Sequence, residues 1–224
     1  MAKLSFVFGC MNSGKSARLA MTYHSYTENG LHPRILKPTT DVRDGTFHHE
    51  DIGVFTSRAL KEDIPCLYLD AGSFIDFDKD YNPKDYQVIL VDEAQFLSDN
   101  DVEFLSDIVD KYNIPVVCYG LKTDSKGKLF TGSKRLIELA DEIEECRGVC
   151  ACGKRSTMHV RISGDADLEG VAGVESDKVR YVSVCRKCFK KYQSLQSLVL
   201  CGDAGLVAAL VKQDILLGSG SIWY

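Results

Sequence analysis

A phosphate-binding loop lies near the start of the chain. Residues 9 to 16 read Gly-Cys-Met-Asn-Ser-Gly-Lys-Ser, which matches the pattern G-x-x-x-x-G-K-[ST] in full. The glycines of such a loop permit a tight turn whose backbone N–H groups point at phosphate oxygens. Lys15 supplies a positive charge toward the terminal phosphates, and the Ser16 hydroxyl is a natural ligand for Mg²⁺. The residues expected to bind phosphate are Gly9, Met11, Asn12, Ser13, Gly14, Lys15 and Ser16.

Two adjacent carboxylates form the second signature of a nucleotide site. They are Asp92 and Glu93, and they follow the apolar strand pattern Val88–Val91. In phosphate-loop proteins we expect this strand beside the first one, with its aspartate holding the Mg²⁺ that bridges the β- and γ-phosphates. Asp92 is therefore expected to bind Mg²⁺ together with Ser16. Glu93 could accept a proton from an attacking hydroxyl or orient a water molecule, which makes it the candidate general base.

Four of the nine cysteines form two close pairs. Cys150 and Cys152 are the first pair, and Cys185 and Cys188 are the second. Two thiolate pairs separated by about 30 residues can converge on one tetrahedral, structural Zn²⁺. A single residue between the first two sulfurs is fewer than usual, and Cys146 could substitute for one ligand. Buried free thiols are the alternative to a zinc site.

The elements that position these residues follow from the hydrophobic pattern. Strand-like runs alternate with helical patterns over residues 1–145, which predicts parallel strands covered by helices in an α/β fold. From Cys146 the chain changes to glycines, short strands and paired cysteines. We therefore predict a P-loop nucleotide-binding domain over 1–145, a zinc-binding domain over 146–192, and a tail over 193–224 that starts helical and ends disordered. The predicted strands are Leu4–Phe8, Arg34–Leu36, Val88–Val91 and Val116–Tyr119, the predicted helices are Ala17–Thr27, Ser98–Tyr112 and Ser133–Ala140, and Thr39–Thr56 is a predicted polar loop.

The composition excludes some classes of function. The chain has 224 residues, of which 45% are hydrophobic and 26% charged, and a net charge of −5 at pH 7. Because gripping a nucleic-acid backbone requires a broadly positive face, we expect no nucleic-acid partner. No apolar run approaches the length that spans a bilayer, and the N-terminus has no cleavable signal pattern. We therefore expect a cytoplasmic protein with no membrane partner.

Four motifs in order closely resemble the cytosolic-type, zinc-containing thymidine kinases, and in particular a bacterial branch of that family. The resemblance covers residues 1 to 192, and the four motifs together are far more specific than any one of them. They are Gly9–Ser16, Asp92-Glu93-Ala94-Gln95-Phe96, Tyr119-Gly120-Leu121-Lys122-Thr123-Asp124 and Tyr181-Val182-Ser183-Val184-Cys185-Arg186-Lys187-Cys188.

The resemblance implies a function and a set of partners. It implies ATP- and Mg²⁺-dependent transfer of the γ-phosphoryl group to the 5′-hydroxyl of thymidine, and of deoxyuridine as a weaker substrate, in nucleotide salvage. A RecA-like core with a small zinc domain, a homotetramer and feedback by the end-product triphosphate are also implied. Lys15 and Ser16 match the phosphate and Mg²⁺ residues, Glu93 matches the general base, and the bacterial branch shares the one-residue spacing of the first cysteine pair. The residues that match the nucleoside pocket are Met11, Phe96, Leu121 and Tyr181.

Two departures from the family pattern fall on the nucleoside side. Ser125 stands where the family has a phenylalanine that forms a wall of the base pocket, and Glu175-Ser176-Asp177-Lys178 occupies the region of a Gly-Gly pair. We therefore expect looser and less selective nucleoside binding than in relatives that keep the aromatic ring. Two other interpretations stay open at this point: a zinc-ribbon P-loop ATPase that acts on nucleic acid, and a catalytically degenerate, nucleotide-binding regulator.

Overall fold

The chain divides into two units. A computed structural model describes residues 1–38, 53–57, 60–69, 85–163 and 179–199. Among the helices in these ranges, none is long and apolar enough to cross a membrane. The first unit comprises Met1–Gly9, Gly14–Asp124 and Lys128–Cys146, and the second comprises Cys10–Ser13, Ser125–Gly127 and the chain from Arg147 onward.

The first unit contains a seven-stranded sheet. Its strands are β1 (Leu4–Gly9), β2 (Pro33–Pro38), β3 (Gly53–Ser57), β4 (Glu62–Leu69), β5 (Val88–Val91), β6 (Val116–Gly120) and β7 (Glu142–Cys146). They lie in the order β3-β4-β2-β5-β6-β1-β7. Every neighbouring pair is parallel except β3 and β4, which are antiparallel. The predicted α/β fold and its four strands are confirmed, with one antiparallel strand added at the edge.

Two details of the sheet differ from the sequence-based expectation. β5 was expected beside β1, but β6 lies between them and is parallel to both. The carboxyl ends of β1 and β5 still meet at the same edge, since strands two places apart in a sheet are separated by about 10 Å. The predicted polar loop Thr39–Thr56 is wrong for residues 53–56, which belong to β3. The rest of that loop lies outside the described residues.

Burial on both faces explains the apolar run of β5. All four of its residues are buried. Ile89 and Val91 pack into one apolar cluster, and Val88 and Leu90 pack into a second cluster. Because side chains alternate across a strand, these clusters lie on opposite faces of the sheet, as is typical of a parallel strand that is covered on both sides.

The helices of the first unit follow the predicted segments. They are α1 (Lys15–Glu28), α2 (Asp99–Tyr112) and α3 (Thr131–Leu139), and a short 3-10 helix spans Ala94–Phe96. α2 has a sharp start because the Ser98 hydroxyl and the Asp101 carboxylate each accept the other residue's backbone N–H. It ends at Asn113, whose backbone is left-handed. The three predicted helices are confirmed to within two residues at each end.

Within the described ranges, the second unit consists of short strands and one helix. Its elements are β8 (Gly148–Val149), β9 (Arg155–Ser156), β10 (Met158–Ser163), β11 (Val179–Val184) and α4 (Arg186–Val199). β8 pairs with β9 and β10 pairs with β11, both antiparallel. α4 continues through residues 193–199, where the predicted tail begins, and the remainder of that tail lies outside the described residues. The buried cluster of this unit is Cys150, Val160, Val184, Cys185 and Phe189.

Candidate active site and cysteine cluster

The phosphate loop contains two residues with a left-handed backbone, Asn12 and Gly14. Gly14 has a φ of +89° and precedes the first residue of α1, while an added Cβ would meet no atom within 4 Å. Its backbone angle, and not crowding, therefore requires glycine. At the end of β1 the Lys15 ammonium donates a hydrogen bond to the Gly9 carbonyl at 3.2 Å. The lysine predicted to contact phosphate is thus folded back over the loop.

The middle of the loop, Cys10–Ser13, packs within the second unit. The Ser183 hydroxyl on β11 donates a hydrogen bond to the Met11 carbonyl at 2.6 Å. The Cys10 thiol contacts the Met158 carbonyl on β10 at 3.4 Å. The backbone of this segment is therefore fixed by the β10–β11 hairpin. Sequence analysis missed Ser183, although it lies in the motif that starts at Tyr181.

The two candidate carboxylates follow β5 directly. Asp92 is buried, and its backbone N–H donates to the Leu36 carbonyl of β2 at 2.9 Å. Burial raises the pKa of Asp92 to about 7, and the neighbouring charge of Glu93 also raises it, whereas the cations Lys37 and Lys15 lower it. A cation close to this carboxylate would favour its ionised form. This environment suits a carboxylate that works beside a metal ion.

Glu93 has an unusual backbone conformation. Its φ is 50° and its ψ is 37°, which is left-handed and costs free energy for a residue other than glycine. The Gln95 side chain donates a hydrogen bond to the Glu93 carboxylate at 2.6 Å and accepts one from the Leu121 backbone N–H at 2.8 Å. Gln95 is only 2% exposed. One buried amide therefore connects the candidate general base to a residue predicted to line the nucleoside pocket.

The surroundings of Gln95 hold it in this position. A Cβ on Gly120 would lie 2.9 Å from the side-chain oxygen of Gln95, so glycine is required there for the side chain to fit. The Ser133 hydroxyl on α3 donates to the Leu121 carbonyl at 2.5 Å. Sequence analysis missed these roles of Gln95, Gly120 and Ser133. Gln95 lies in a recognised motif, but its partner Leu121 is 26 positions away.

The four residues predicted to line the nucleoside pocket fall in both units. In the first unit the Phe96 ring meets Phe130 edge to face at 5.7 Å, and Leu121 is buried beside Gln95. Met11 and Tyr181 belong to the second unit. There the Tyr181 ring lies 6.0 Å from the ring of the buried His159. Ser125 is also in the second unit, and the departure at residues 175–178 lies outside the described residues.

The paired cysteines converge in the second unit. The sulfur atoms of Cys150, Cys152, Cys185 and Cys188 all lie within 4.8 Å of one another. The Cys150 N–H donates to the Lys154 carbonyl at 2.7 Å, which closes a tight turn around the first pair. Cys146, the spare cysteine, belongs to β7 of the first unit instead. The arrangement can hold one metal ion among four thiolates.

The thiols of this cluster differ in acidity. A backbone hydrogen bond at Lys154 lowers the pKa of Cys152 to about 7. Burial raises the pKa of Cys150, and it raises the pKa of Cys188 to about 12. Four thiolates at this spacing repel one another, and only a bound cation would keep all of them ionised near neutral pH.

Comparison with known proteins identifies the family. The family model described as Thymidine kinase matches residues 2–189. The chain is 41% identical over 189 residues to a thymidine kinase of Enterobacteria phage T4, covering 84% of this chain and 95% of that protein. It is 42% identical over 195 residues to one from Xanthomonas oryzae pv. oryzae, covering 85% and 90%. It is 38% identical over 198 residues to a thymidine kinase of Vibrio parahaemolyticus, and the match covers 85% of this chain and 98% of that protein.

A solved structure also matches. It is a Pif1 helicase from Candida albicans, with 11% identity, a TM-score of 0.39, and coverage of 68% of this chain and 37% of that one, a likeness too low to support any conclusion. The family model, in contrast, extends over both the phosphate loop and the cysteine cluster. The chain belongs to the thymidine kinase family.

Proposed function

We propose that the protein phosphorylates thymidine with ATP, giving the nucleoside monophosphate in nucleotide salvage, with deoxyuridine as a weaker substrate. The observation that carries this proposal is membership of the thymidine kinase family. The first unit supports it, since the phosphate loop and the Asp92–Glu93 pair follow parallel strands that end at one edge of the sheet. Ligands of open α/β sheets bind at that edge.

The phosphate chain of ATP is proposed to bind the loop from Gly9 to Ser16. The left-handed residues Asn12 and Gly14 turn backbone N–H groups inward, and the start of α1 adds a positive partial charge. Lys15 would leave the Gly9 carbonyl and contact the terminal phosphates. The Ser16 hydroxyl and the Asp92 carboxylate are oxygen donors of the kind that Mg²⁺ prefers. Bound Mg²⁺ would neutralise charge on the β- and γ-phosphates.

Glu93 is proposed as the general base. The 5′-oxygen of thymidine attacks the γ-phosphorus, its proton passes to the Glu93 carboxylate, and the bond from phosphorus to the β–γ bridging oxygen breaks to release ADP. Gln95 acts as a positioning residue because its side-chain amide donates to a carboxylate oxygen of Glu93 and holds that side chain in place. The left-handed backbone of Glu93 is consistent with a side chain held for function.

The nucleoside is proposed to contact Met11, Phe96, Leu121 and Tyr181. A flexible thioether such as that of Met11 packs well on the thymine methyl group, and backbone N–H and C=O groups can pair with the polar edge of the base. Phe96 is supported from the side by Phe130. Ser125 offers no aromatic ring, so the base loses one stacking surface.

The remaining assignments rest on the cysteine cluster and on the family resemblance. We propose that Zn²⁺ is bound by the four clustered cysteines and is structural, because four thiolates suffice for a tetrahedral site and the cluster found among the described residues contains neither histidine nor carboxylate. The kinase domain is proposed to span residues 1–145, the zinc and lid domain 146–192, and the tail 193–224. A homotetramer is proposed on the resemblance alone, and a cytoplasmic location is proposed on the sequence features given above.

A phosphoryl-transfer assay tests the proposed function. The protein is incubated with γ-labelled ATP, Mg²⁺ and one of thymidine, deoxyuridine, deoxycytidine or deoxyadenosine, with single-stranded DNA in a parallel tube. We expect label on thymidine first and on deoxyuridine more slowly. Hydrolysis that DNA stimulates would favour the ATPase interpretation, and no transfer or hydrolysis would favour the regulator. A preference for deoxyadenosine would contradict the substrate while keeping the reaction type.

A further inference from the structure

Among the residues of the second unit that the structure describes, every Lys, Arg, Asp or Glu is a lysine or an arginine. Residues 147–163 and 179–199 contain nine lysines and arginines and neither aspartate nor glutamate, although the whole chain has a net charge of −5. In an acidic protein, a positive region of this kind attracts anions locally while the rest of the surface repels them. In the part of the chain that the structure describes, positive charge is therefore concentrated in the unit that holds the cysteine cluster.

Part of this charge surrounds an open cavity of about 640 Å³. Five of its seven lining residues are cationic, and no carboxylate or aromatic residue is among them. None of the phosphate-loop residues lines it either. The lining residues are Lys154, Arg155, Thr157, Cys185, Arg186, Lys187 and Lys190.

The cations on α4 occupy an unfavourable place. The helix starts at Arg186, has Lys187 next, and has no acidic residue in its first turn. Because a helix N-terminus carries a partial positive charge, cations there destabilise the helix. The four thiolates around a Zn²⁺ would carry two net negative charges, fewer than the five positive charges of the lining. Residues that destabilise their own helix are expected at positions where a function requires them.

We propose that this cavity is a second anion site, which binds a phosphate chain such as inorganic tripolyphosphate or the triphosphate group of a nucleotide. The volume lies within the range of small-molecule sites. Because none of the described lining residues is aromatic, they offer no ring on which a base could stack, and their charges match the phosphates instead. A polynucleotide is disfavoured because the cavity is compact and the chain as a whole is acidic. The proposal does not depend on the kinase reaction.

Calorimetric titration of the zinc-loaded full chain with inorganic tripolyphosphate tests the site. All variants carry Lys15→Ala, which weakens binding to the phosphate loop and isolates the second site. Lys154→Gln with Lys190→Gln removes two exposed lining cations, and Lys61→Gln with Lys134→Gln is the control with the same charge change outside the cavity. We expect about tenfold weaker binding in the first double variant and less than about twofold in the control, from typical energies of exposed ion pairs.

Three further measurements complete the test. Titration with ATP in place of tripolyphosphate distinguishes a site for a free phosphate chain from a site for a nucleotide. Equal affinity for the two ligands indicates recognition of the phosphate chain alone, and tighter binding of ATP indicates a nucleotide site. Either result supports the proposal. Zinc analysis of each variant checks that the cysteine cluster still holds its metal. If the double variant loses zinc, the single variant Lys190→Gln replaces it in the titration, and we expect about threefold weaker binding of tripolyphosphate. Equal tripolyphosphate affinity in all variants, or an effect on single-stranded DNA only, would overturn the proposal.

Discussion

The two units differ in what stabilises them. The first buries two large apolar clusters on opposite faces of its sheet, whereas the described residues of the second form one cluster of five buried residues, two of which are Cys150 and Cys185. A cluster of five residues contributes little against the conformational entropy of the ordered chain, while metal ligation contributes on the order of 10 kcal/mol to the folding of small domains. The difference suggests a division of roles: the sheet carries the chemistry, and the metal fixes the segments that meet the substrates.

The largest expected effect comes from removing one metal ligand. Cys188→Ser should unfold the second unit, because the remaining three thiolates cannot complete a tetrahedral site and the loss is on the order of 10 kcal/mol. The zinc content of the variant and its thermal unfolding temperature measure this loss. Cys146→Ser is the matched control, since this cysteine lies on β7 outside the cluster. A Cys188→Ser protein that kept one equivalent of zinc and its unfolding temperature would refute the ligand assignment.

Glu93→Gln should separate chemistry from stability. The glutamine keeps the size of the side chain and its hydrogen bond capacity but cannot accept the proton, so turnover should fall about 10²-fold or more with ATP affinity and zinc content little changed. Glu103→Gln, an exposed change on α2, is the control. Near-normal turnover of the Glu93→Gln protein would show that another group is the base. It would also weaken the inference that the sheet of the first unit carries the chemistry.

A smaller effect is expected from Gln95→Leu. The leucine removes the donor to Glu93 and leaves the buried Leu121 N–H without its acceptor, so turnover should fall about tenfold. Because the lost hydrogen bond favours the charged carboxylate, the pKa of Glu93 should rise, and the acidic limb of the kcat/KM profile should move to higher pH. A fall in activity with an unchanged pH profile would mean that Gln95 acts only through packing.

The smallest effect is expected from Ser125→Phe in the second unit. An aromatic ring would restore a stacking surface worth about 1 kcal/mol or more, so the Kd of thymidine should fall about fivefold while kcat changes little. Equilibrium binding and steady-state kinetics measure the two quantities, and Lys126→Phe, at the next residue, serves as the control. Weaker binding, or an equal gain in the control, would place Ser125 away from the base.

Local sequence patterns were sufficient for the central elements of the first unit. β5 is an unbroken apolar run because both of its faces are buried, and α2 has periodic apolar residues and a capping box. β7 was missed because it is an exposed edge strand with three glutamates in five residues, which no hydrophobic pattern reveals. β4 was missed as well, since Glu62, Asp63 and Pro65 interrupt its apolar residues.

The candidate site was predictable where its residues are close in sequence. The phosphate loop and the Asp92–Glu93 pair are continuous motifs, and the four cysteines form two short pairs. Contacts between distant segments were not predictable, because they depend on strand order and side-chain direction. The hydrogen bonds from the Leu121 N–H to Gln95 and from the Ser183 hydroxyl to Met11 join such segments, and each appears only in the folded chain.

Hydrogen exchange before and after zinc removal tests the division between the two units most directly. Peptides from β5 and β6 report the sheet, and peptides from β10 and β11 report the metal-bound module. We expect chelation to abolish the protection of the β10 and β11 amides while the β5 and β6 amides keep theirs, and added Zn²⁺ to restore the original pattern. Protection of β10 and β11 that survives complete zinc loss, or equal loss of protection in all four strands, would contradict the account.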